Sequence, residues 1–361
     1  MHIMAPVDIA ALRLANQHLR NPDFKTPADV VRWFGAMQAQ DFAAGKWSIG
    51  LRIKNTSDNE VEQAYDKGEI VRTHVMRPTW HFILPEDIQW MQSLTAPQVK
   101  KLMGHYNRKL ELTDELFTKT NSLVTKALQN HNYLTRQELK KILDGVGIKT
   151  DVQRLAHIIM WAELDGLICS GPKRGKQLTY ALVKERVTKL KTLSREQALA
   201  TLAERYFTSH GPAQLKDFAW WSGLSLKDAA SGLDSLRSKT SKLEQNDKTY
   251  WFMPSKANPA PSQHQAFLLS IFDEYTIAYK DRSDINITTP GINKMLSMGN
   301  ALTTVIVIDG LTVGTWKRII KKDKVAISTT LYQPLTNPQK QALKEAVSRY
   351  GKFLNLPVTI D

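Results

Sequence analysis

The sequence has little cysteine, and its histidines are not arranged as metal ligands. Cys169 is the single cysteine among 361 residues, so no disulfide can form within the chain and no cysteine-rich metal site is possible. The nine histidines show no ligand spacing such as His-Glu-x-x-His. These absences exclude a disulfide-stapled domain and favour a reducing compartment. We expect the protein to need neither a metal nor another cofactor.

Long apolar runs are also missing. The apolar stretch from Ile158 to Ile168 is interrupted by Glu163 and Asp165, and no stretch approaches the roughly 20 residues that cross a bilayer. The first six residues contain no basic region that leads into an apolar segment, which argues against a signal peptide. We therefore expect a soluble, cytoplasmic protein that does not bind membranes.

Acidic residues are too few to balance the basic ones. The chain has 49 Lys and Arg against 35 Asp and Glu, which gives a formal net charge of +14. This excess favours a polyanionic partner, although a basic surface that binds nothing specific would have the same charge. Seven Lys and Arg lie between Lys173 and Lys191, and five lie between Lys317 and Lys324.

A repeated order of elements, three helices followed by a hairpin, predicts winged-helix units in tandem. The clearest copy lies in the middle of the chain, where Thr135 begins a capping box. This copy is predicted to have helices capped by Thr113, Thr135 and Thr150, and strands at Leu167–Ser170 and Gln177–Leu182. The turn between these strands is short and basic.

Two further copies are predicted on either side of the middle one. The later copy has helices that begin after Ser194, at Ala213 and after Ser225, and a hairpin of Ser241–Leu243 and Thr249–Phe252. The earlier copy has helices at Asp8–Arg20 and after Thr26, and strands at Glu69–Val75 and Thr79–Leu84. Pro27 stands at the first helical position, where its missing N–H does no harm.

The C-terminal part of the chain follows a different pattern. A proline-rich linker is predicted at Pro254–Pro261, and β-rich segments follow it, two of them joined by an Asp309-Gly310 hairpin turn. An amphipathic helix is predicted at Pro338–Leu354. The fold class is therefore α+β: three tandem winged-helix units plus a C-terminal β-rich, barrel-like domain. The predicted domains span residues 1–110, 111–192, 193–256 and 262–361.

The basic clusters predict where a nucleic acid binds. Lys173, Arg174 and Lys176 crowd into the middle wing tip, and wings are a part of such units that meets phosphates. Lys321 and Lys322 belong to the second cluster and are predicted to bind DNA in the same way. Because each neutralised phosphate releases counterions, binding should weaken steeply with salt. For the helical stretch after residue 182, a solvated surface is an equally good interpretation.

Two segments could carry chemistry. Gln38 and Gln40 stand at the predicted end of a helix, where packing does not require them; residues two apart on a helix point about 200° from each other, so both converge only where the helix ends. From composition alone they are better interpreted as polar surface residues, with Asp41 as the cap of the next helix. A second segment, 72–82, places polar side chains on adjoining strands.

Alternation along the second segment predicts two faces. Thr79 and His81 share one face, and Trp80 and Phe82 share the other. A polar face beside the glutamine pair would form a site. We assign Trp80 and Phe82 to the core.

Six segments in sequence order resemble the AlkZ-like winged-helix DNA glycosylases of bacteria. Met37–Asp41 resembles the family's Gln-x-Gln catalytic segment, and Val71–Phe82 is similar to its Arg-Thr…Met-Arg-Gly-Thr-Leu-His strand motif, with Pro78 and Trp80 in place of Gly and Leu. The other four segments are Trp161–Pro172, Ser209–Gly223, Phe272–Arg282 and Asp309–Trp316. The resemblance covers nearly the whole chain.

The resemblance implies a function and a site. It implies three winged helices around a concave basic channel and removal of N7-alkylated guanine from double-stranded DNA, with unhooking of interstrand crosslinks in some members. It implies catalysis by Gln38 and Gln40, and Gln40 places the chain in the Gln-x-Gln branch of the family. The implied supporting residues are Asp41, Arg77, Thr79 and His81, and Arg72 is implied to bind DNA.

The implied mechanism is hydrolysis. An N7-alkylguanine carries positive charge and leaves as a neutral base, so the enzyme mainly places a water and steadies the developing oxocarbenium ion. Lys46 is the only lysine near the segment, so we expect no strand cleavage through a Schiff base. Bulky crosslinks would not fit a tight base-flipping pocket, so full extrusion of the base is not required. We expect a monomer. The alternative is a non-enzymatic winged-helix protein, either a regulator or a lesion binder.

Overall fold

The computed structural model describes residues 7–254, 263–285 and 303–361. The linker predicted at Pro254–Pro261 lies outside these residues except for Pro254. Across the described ranges, every helix is too short or too polar to cross a membrane.

The first unit contains five helices and a three-stranded sheet. Its elements are α1 (Ile9–Asn16), α2 (Pro27–Phe34), β1 (Ala36–Gln38), α3 (Phe42–Gly50), α4 (Asp58–Lys67), β2 (Val71–His74), β3 (Trp80–Ile83) and α5 (Ile88–Lys109). Thr26 caps α2 with Pro27 at the first turn, as predicted. The strand order is β1-β3-β2, so β3 is the central strand.

The middle unit repeats this arrangement. Its elements are α6 (Asp114–Ala127), β4 (Leu134–Thr135), α7 (Arg136–Gly145), α8 (Val152–Leu164), β5 (Ile168–Arg174), β6 (Gln177–Leu182) and α9 (Val183–Arg186), with strand order β4-β6-β5. Caps by Thr113 and Thr135 are confirmed. The predicted cap at Thr150 is wrong: Asp151 accepts the first amides of α8, while the Thr150 hydroxyl bonds to Asp144.

The third unit is smaller. It comprises α10 (Arg195–Ser209), α11 (Leu215–Ser222), α12 (Leu226–Asp234), β7 (Ser241–Gln245) and β8 (Lys248–Phe252). The predicted caps at Ser194 and Ser225 are confirmed, because each side chain accepts an amide hydrogen bond from the first helical turn. Ala213 adds a single bridge to Trp251 of β8, which places it where β1 and β4 lie in the other units.

The C-terminal part forms a five-stranded sheet and a long helix. Its elements are β9 (Ala266–Leu269), α13 (Glu274–Ile277), β10 (Val305–Ile308), β11 (Leu311–Ile320), β12 (Val325–Leu331), α14 (Asn337–Leu354) and β13 (Val358–Ile360), with strand order β13-β12-β11-β10-β9. Asp309-Gly310 joins β10 to β11. The α+β class and the β-rich, curled C-terminal sheet are confirmed. The domain boundaries stay predictions.

Shared cores hold the first unit between the third unit and the C-terminal sheet. Trp47 of α3 donates a hydrogen bond to the Leu268 carbonyl at 2.7 Å, in a core common to the first unit and the C-terminal sheet. On the other side, a Cβ on Gly223 would lie 2.1 Å from the Met76 carbonyl oxygen, so only glycine fits this close approach. The β2–β3 hairpin is therefore enclosed, and its sheet is rigidly placed.

Candidate active site on the first sheet

A row of three side chains crosses the first sheet. His81 on β3 is paired with Gln38 on β1 and with Thr73 on β2, so all three point to the same face. Their exposed fractions are 8% for Gln38 and 0% for both His81 and Thr73. A polar row this deeply buried must find hydrogen-bond partners inside the protein.

Gln38 is fixed through both its side chain and its backbone. Its Oε1 accepts a hydrogen bond from Nη2 of Arg77 at 3.2 Å. Its backbone N–H donates to Oε1 of Glu274 at 2.7 Å. The structure therefore brings Gln38 and Arg77 together, as the implied site requires.

Glu274 connects three parts of the molecule. It belongs to α13 in the C-terminal part and is buried against the first sheet. Besides the Gln38 amide, the carboxylate accepts from Trp221 Nε1 at 2.9 Å and lies 3.3 Å from His210 Nε2, both of the third unit. Sequence reasoning missed Glu274 as a site residue. The available signal was two adjacent carboxylates, Asp273 and Glu274, between the aromatic residues 272 and 275.

His81 is held in one neutral form. Its Nδ1 lies 2.9 Å from the Thr79 carbonyl oxygen, which can only accept, so Nδ1 carries the proton. Nε2 is then an acceptor and faces Nη2 of Arg77 at 3.5 Å. Burial and the nearby Arg77 charge hold the pKa of His81 well below its usual value. His81 is therefore an uncharged acceptor at neutral pH.

Gln40 occupies the exposed end of the segment. Its Oε1 accepts a hydrogen bond from the Trp80 backbone N–H at 3.2 Å, and the preceding Ala39 N–H donates to the Trp80 carbonyl at 2.7 Å. Nε of Arg72 donates to the Ala39 carbonyl at 2.8 Å, and Nη2 lies 3.4 Å from the Gln40 carbonyl. Burial lowers the pKa of Arg72. The backbone between the two glutamines is thus tied to its neighbours.

Two sequence predictions about this region need correction. The glutamines do not lie at the end of a helix, because α2 ends at Phe34 and Gln38 is the last residue of the strand β1. The angle of about 200° between side chains two apart on a helix therefore does not apply to Gln38 and Gln40. The sequence also predicts Trp80 in the core with Phe82. Phe82 is fully buried, but Trp80 is half-buried, because its ring lies against Arg72 and His74 and its Nε1 donates to Glu163 at 3.3 Å.

The remaining support residues have separate surroundings. Asp41 is exposed and caps α3 through a 2.9 Å bond from the Ala44 N–H. The Thr79 hydroxyl is buried and has no hydrogen-bond partner among the residues that the structure describes. Lys46 is buried and bonded to Asp58 at 2.7 Å and to Glu62 at 2.6 Å.

Comparison with known proteins identifies the family. The model of the family described as DNA glycosylase AlkZ-like matches residues 31–353. The chain belongs to the AlkZ-like DNA glycosylase family. A similar curated relative is the interstrand DNA cross-link repair glycosylase of Streptomyces sahachiroi, 22% identical over 377 residues that cover 98% of each chain. The solved structure of the Streptomyces sahachiroi DNA glycosylase AlkZ shares this fold, with a TM-score of 0.78, 20% identity and 98% coverage of both chains.

In this AlkZ-like glycosylase, the predicted DNA-binding residues fall into two groups. Lys173 and Arg174 are engaged in the middle wing, where Lys173 pairs with Glu62 of the first unit and Arg174 pairs with Glu138. Arg72 points its donors at backbone carbonyls of the glutamine segment. The exposed group, at two hairpin turns, consists of Lys176, Lys321 and Lys322. DNA binding by each of these residues stays a prediction.

Proposed function

We propose that this AlkZ-like glycosylase hydrolyses the N-glycosidic bond of N7-alkylated guanine in double-stranded DNA. The observation that carries the proposal is the pair of oriented glutamine oxygens, one buried at Gln38 and one exposed at Gln40. We further propose that it unhooks interstrand crosslinks. The printed name of the Streptomyces sahachiroi relative supports this second step.

The N7-alkylated guanine can leave without a strong general acid. An N7-alkylated guanine is cationic, and bond cleavage releases it as a neutral base while positive charge moves to the sugar. The enzyme therefore needs acceptors that hold a water near the sugar and lower the energy of the developing oxocarbenium ion. Neutral amide oxygens suit this task, because they attract the cation without forming a covalent bond to it.

Each glutamine side-chain oxygen can accept one more hydrogen bond during the reaction. An amide oxygen has two acceptor positions, and Arg77 or the Trp80 N–H occupies one of them in each case. The second position of each oxygen is left to accept from a water. The buried Thr79 hydroxyl, two residues before His81, has no hydrogen-bond partner among the described residues and is therefore available for a further polar contact. Fixing these groups before the substrate arrives reduces the reorganisation that the transition state requires.

We assign a single activity, hydrolysis without strand cleavage. A Schiff base requires a lysine amine that can lose its proton and reach the sugar. Lys46, the lysine closest in sequence to the segment, is buried with its ammonium in ion pairs with Asp58 and Glu62, so it is not free to reach the sugar. This supports a monofunctional enzyme. We also propose that it acts as a cytoplasmic monomer, because one chain supplies all three winged-helix units.

For the DNA interface, we propose phosphate contacts by Lys176, Lys321 and Lys322. All three are exposed, and none has an ion-pair partner among the described residues. Lys173, Arg174 and Arg72 contribute less directly, because each already serves an intramolecular contact. Binding should then weaken with salt roughly in proportion to the number of phosphates contacted.

The decisive test is release of free 7-methylguanine from methylated duplex DNA under single-turnover conditions. We expect the wild type to release base and a Gln38→Ala/Gln40→Ala variant to be slower by about 100-fold while its DNA affinity is retained. Gln129→Ala is the matched control, because Gln129 is an exposed glutamine in the middle unit, away from the first sheet.

The same assay distinguishes the alternative. If neither simple nor crosslinked lesions lose their base while wild type and variant bind DNA equally, the protein is a non-enzymatic regulator or lesion binder. Covalent trapping of the chain on DNA with borohydride would contradict the hydrolytic, lysine-free route.

A further inference from the structure

A cavity of about 340 Å³ opens between the first sheet and the middle unit. Its volume falls at the lower end of the range of small-molecule sites. On the first-unit side, Arg72 and Trp80 line it. On the middle-unit side, Tyr180 of β6, Glu163 of α8 and Gln137 of α7 line it.

The walls combine flat groups with one buried carboxylate. The guanidinium carbon of Arg72 lies 4.3 Å from the centroid of the Trp80 ring, which forms a cation–π pair at the cavity wall. Glu163 is 1% exposed and is bonded to Trp80 Nε1 and to His74. Flat ring systems stack on such guanidinium and aromatic groups, and a carboxylate accepts from their N–H edges.

The cavity adjoins the glutamine segment directly. The Trp80 side chain lines the cavity while its backbone N–H bonds to Oε1 of Gln40. Arg72, on the same wall, bonds to the carbonyl of Ala39. A ring bound in the cavity would therefore contact Trp80, and Trp80 in turn bonds to Gln40.

We propose that this cavity binds a flat aromatic part of the lesion during excision, which makes Trp80 and the facing wall of the middle unit determinants of lesion specificity. The inference rests on the proposed glycosylase function and extends it. The aromatic ring has two possible sources: the damaged base after extrusion, or an aromatic group attached to N7 of a base that stays stacked.

Two substitutions change the cavity, one on each of its opposite walls. Trp80→Leu removes the aromatic wall but keeps the backbone N–H that holds Gln40. Gln137→Trp fills the cavity from the exposed start of α7 without altering the first unit. Gln129→Trp is the matched control, because it introduces the same bulk in the same unit outside the cavity lining. Circular dichroism establishes that each variant is folded.

The experiment compares single-turnover base release from two duplexes, one with 7-methylguanine and one with guanine that carries an aromatic group on N7. We expect both cavity variants to be slower by about tenfold on at least the aromatic adduct, the size of a lost stacking contact. Gln129→Trp should match the wild type.

Each outcome has a meaning. If base release is slowed equally on both duplexes, the ring that the cavity binds is the extruded base. If release is slowed only on the duplex with the aromatic adduct, the ring is the aromatic group on N7. Wild-type rates for folded Gln137→Trp on both duplexes overturn the inference, whatever Trp80→Leu does. A wild type that releases neither base contradicts the glycosylase proposal itself and is recognised before any variant is compared.

Discussion

The first and middle units have the same sheet order but differ where a strand leads into the second helix. In the middle unit, β4 ends at Thr135, which is itself the cap of α7. In the first unit, β1 ends at Gln38, and the cap of α3 is Asp41, three residues later. The first unit therefore has additional backbone at this point, and that backbone is the glutamine segment.

The difference indicates how a DNA-binding module can acquire a reactive site. In both units a row of three paired residues crosses the sheet: Gln38, His81 and Thr73 in the first, all polar, and Leu134, Tyr180 and Ser170 in the middle. In the first unit a carboxylate from the C-terminal part reaches β1, the edge strand that carries Gln38, whereas the corresponding strand β4 of the middle unit bonds to Glu138 of its own unit. The site thus depends on a longer connection and on packing supplied from outside the unit.

The largest effect should come from removing that outside support. Glu274→Ala leaves the buried donors of Gln38 and Trp221 without an acceptor, at about 1–3 kcal/mol each. We expect the first and third units to lose about 3–5 kcal/mol of unfolding free energy and base release to fall with them. Denaturant unfolding and hydrogen exchange of the β1 amides measure this.

The matched control lies in the middle unit. Glu138→Ala also removes a carboxylate that bonds to a backbone amide, that of Thr135, but this one is on the surface. Its loss should be much smaller and confined to the middle unit. A Glu274→Ala protein as stable as Glu138→Ala would show that Glu274 does not brace the first sheet.

These sites show what the sequence could predict and what it could not. Helix starts were predictable because capping is local: Thr26, Thr135, Ser194 and Ser225 each act within one turn of the helix. The Thr150 prediction failed because the adjacent Asp151 is an equally good local cap. Side-chain chemistry alone does not decide between neighbours that can both accept amide hydrogen bonds.

The site was less predictable, because long-range packing determines it. The strand β1, which ends at Gln38, has three residues, too few to show periodicity, so the sequence predicts a helix end there instead of a strand. Glu274 reaches Gln38 from 236 positions away in sequence. Alternation placed Trp80 with Phe82 but could not show that polar groups of another unit would face Trp80 alone.

The second prediction concerns the backbone of the longer connection. Arg72→Lys keeps the charge but loses the guanidinium geometry that reaches the Ala39 and Gln40 carbonyls. We expect base release to slow by about tenfold, with DNA affinity within about twofold of the wild type, since lost positioning acts on the reaction step. Single-turnover kinetics beside a binding titration separate the two quantities.

Arg174→Lys supplies the comparison, because Arg174 also pairs within the protein but in the middle wing. It should leave the rate of base release unchanged. An Arg72→Lys variant that loses affinity and keeps its rate would assign Arg72 to DNA binding instead of to positioning.

The third prediction compares the two helix caps directly. Asp41→Ala and Thr135→Ala each remove a side-chain cap, at about 1 kcal/mol of stability. We expect similar destabilisation from both, but slower base release only from Asp41→Ala, because only that cap ends the glutamine segment. Thermal unfolding and 7-methylguanine release measure both variants. If Asp41→Ala and Thr135→Ala release base at the same rate, the connection in the first unit has no functional role that the connection in the middle unit lacks.

The smallest effect should appear with pH. The pKa of His81 is held well below its unfolded value of about 6.5, so below that pH the unfolded chain takes up a proton that the folded chain does not. Stability from the neutral ring is therefore present above about pH 6.5 and declines as pH falls. His210, whose pKa burial also lowers, acts in the same direction.

The stability of the middle sheet should not change over the same pH range. Burial raises the pKa of Tyr180, which takes the central position there, so it stays neutral throughout. Hydrogen exchange between about pH 7 and 5 should weaken protection in β3 before β6, and His81→Gln should reduce that difference. Base release should show no inflection near 6.5, because His81 stays neutral across it. An inflection there that disappears in His81→Gln would instead make His81 a proton donor in the reaction.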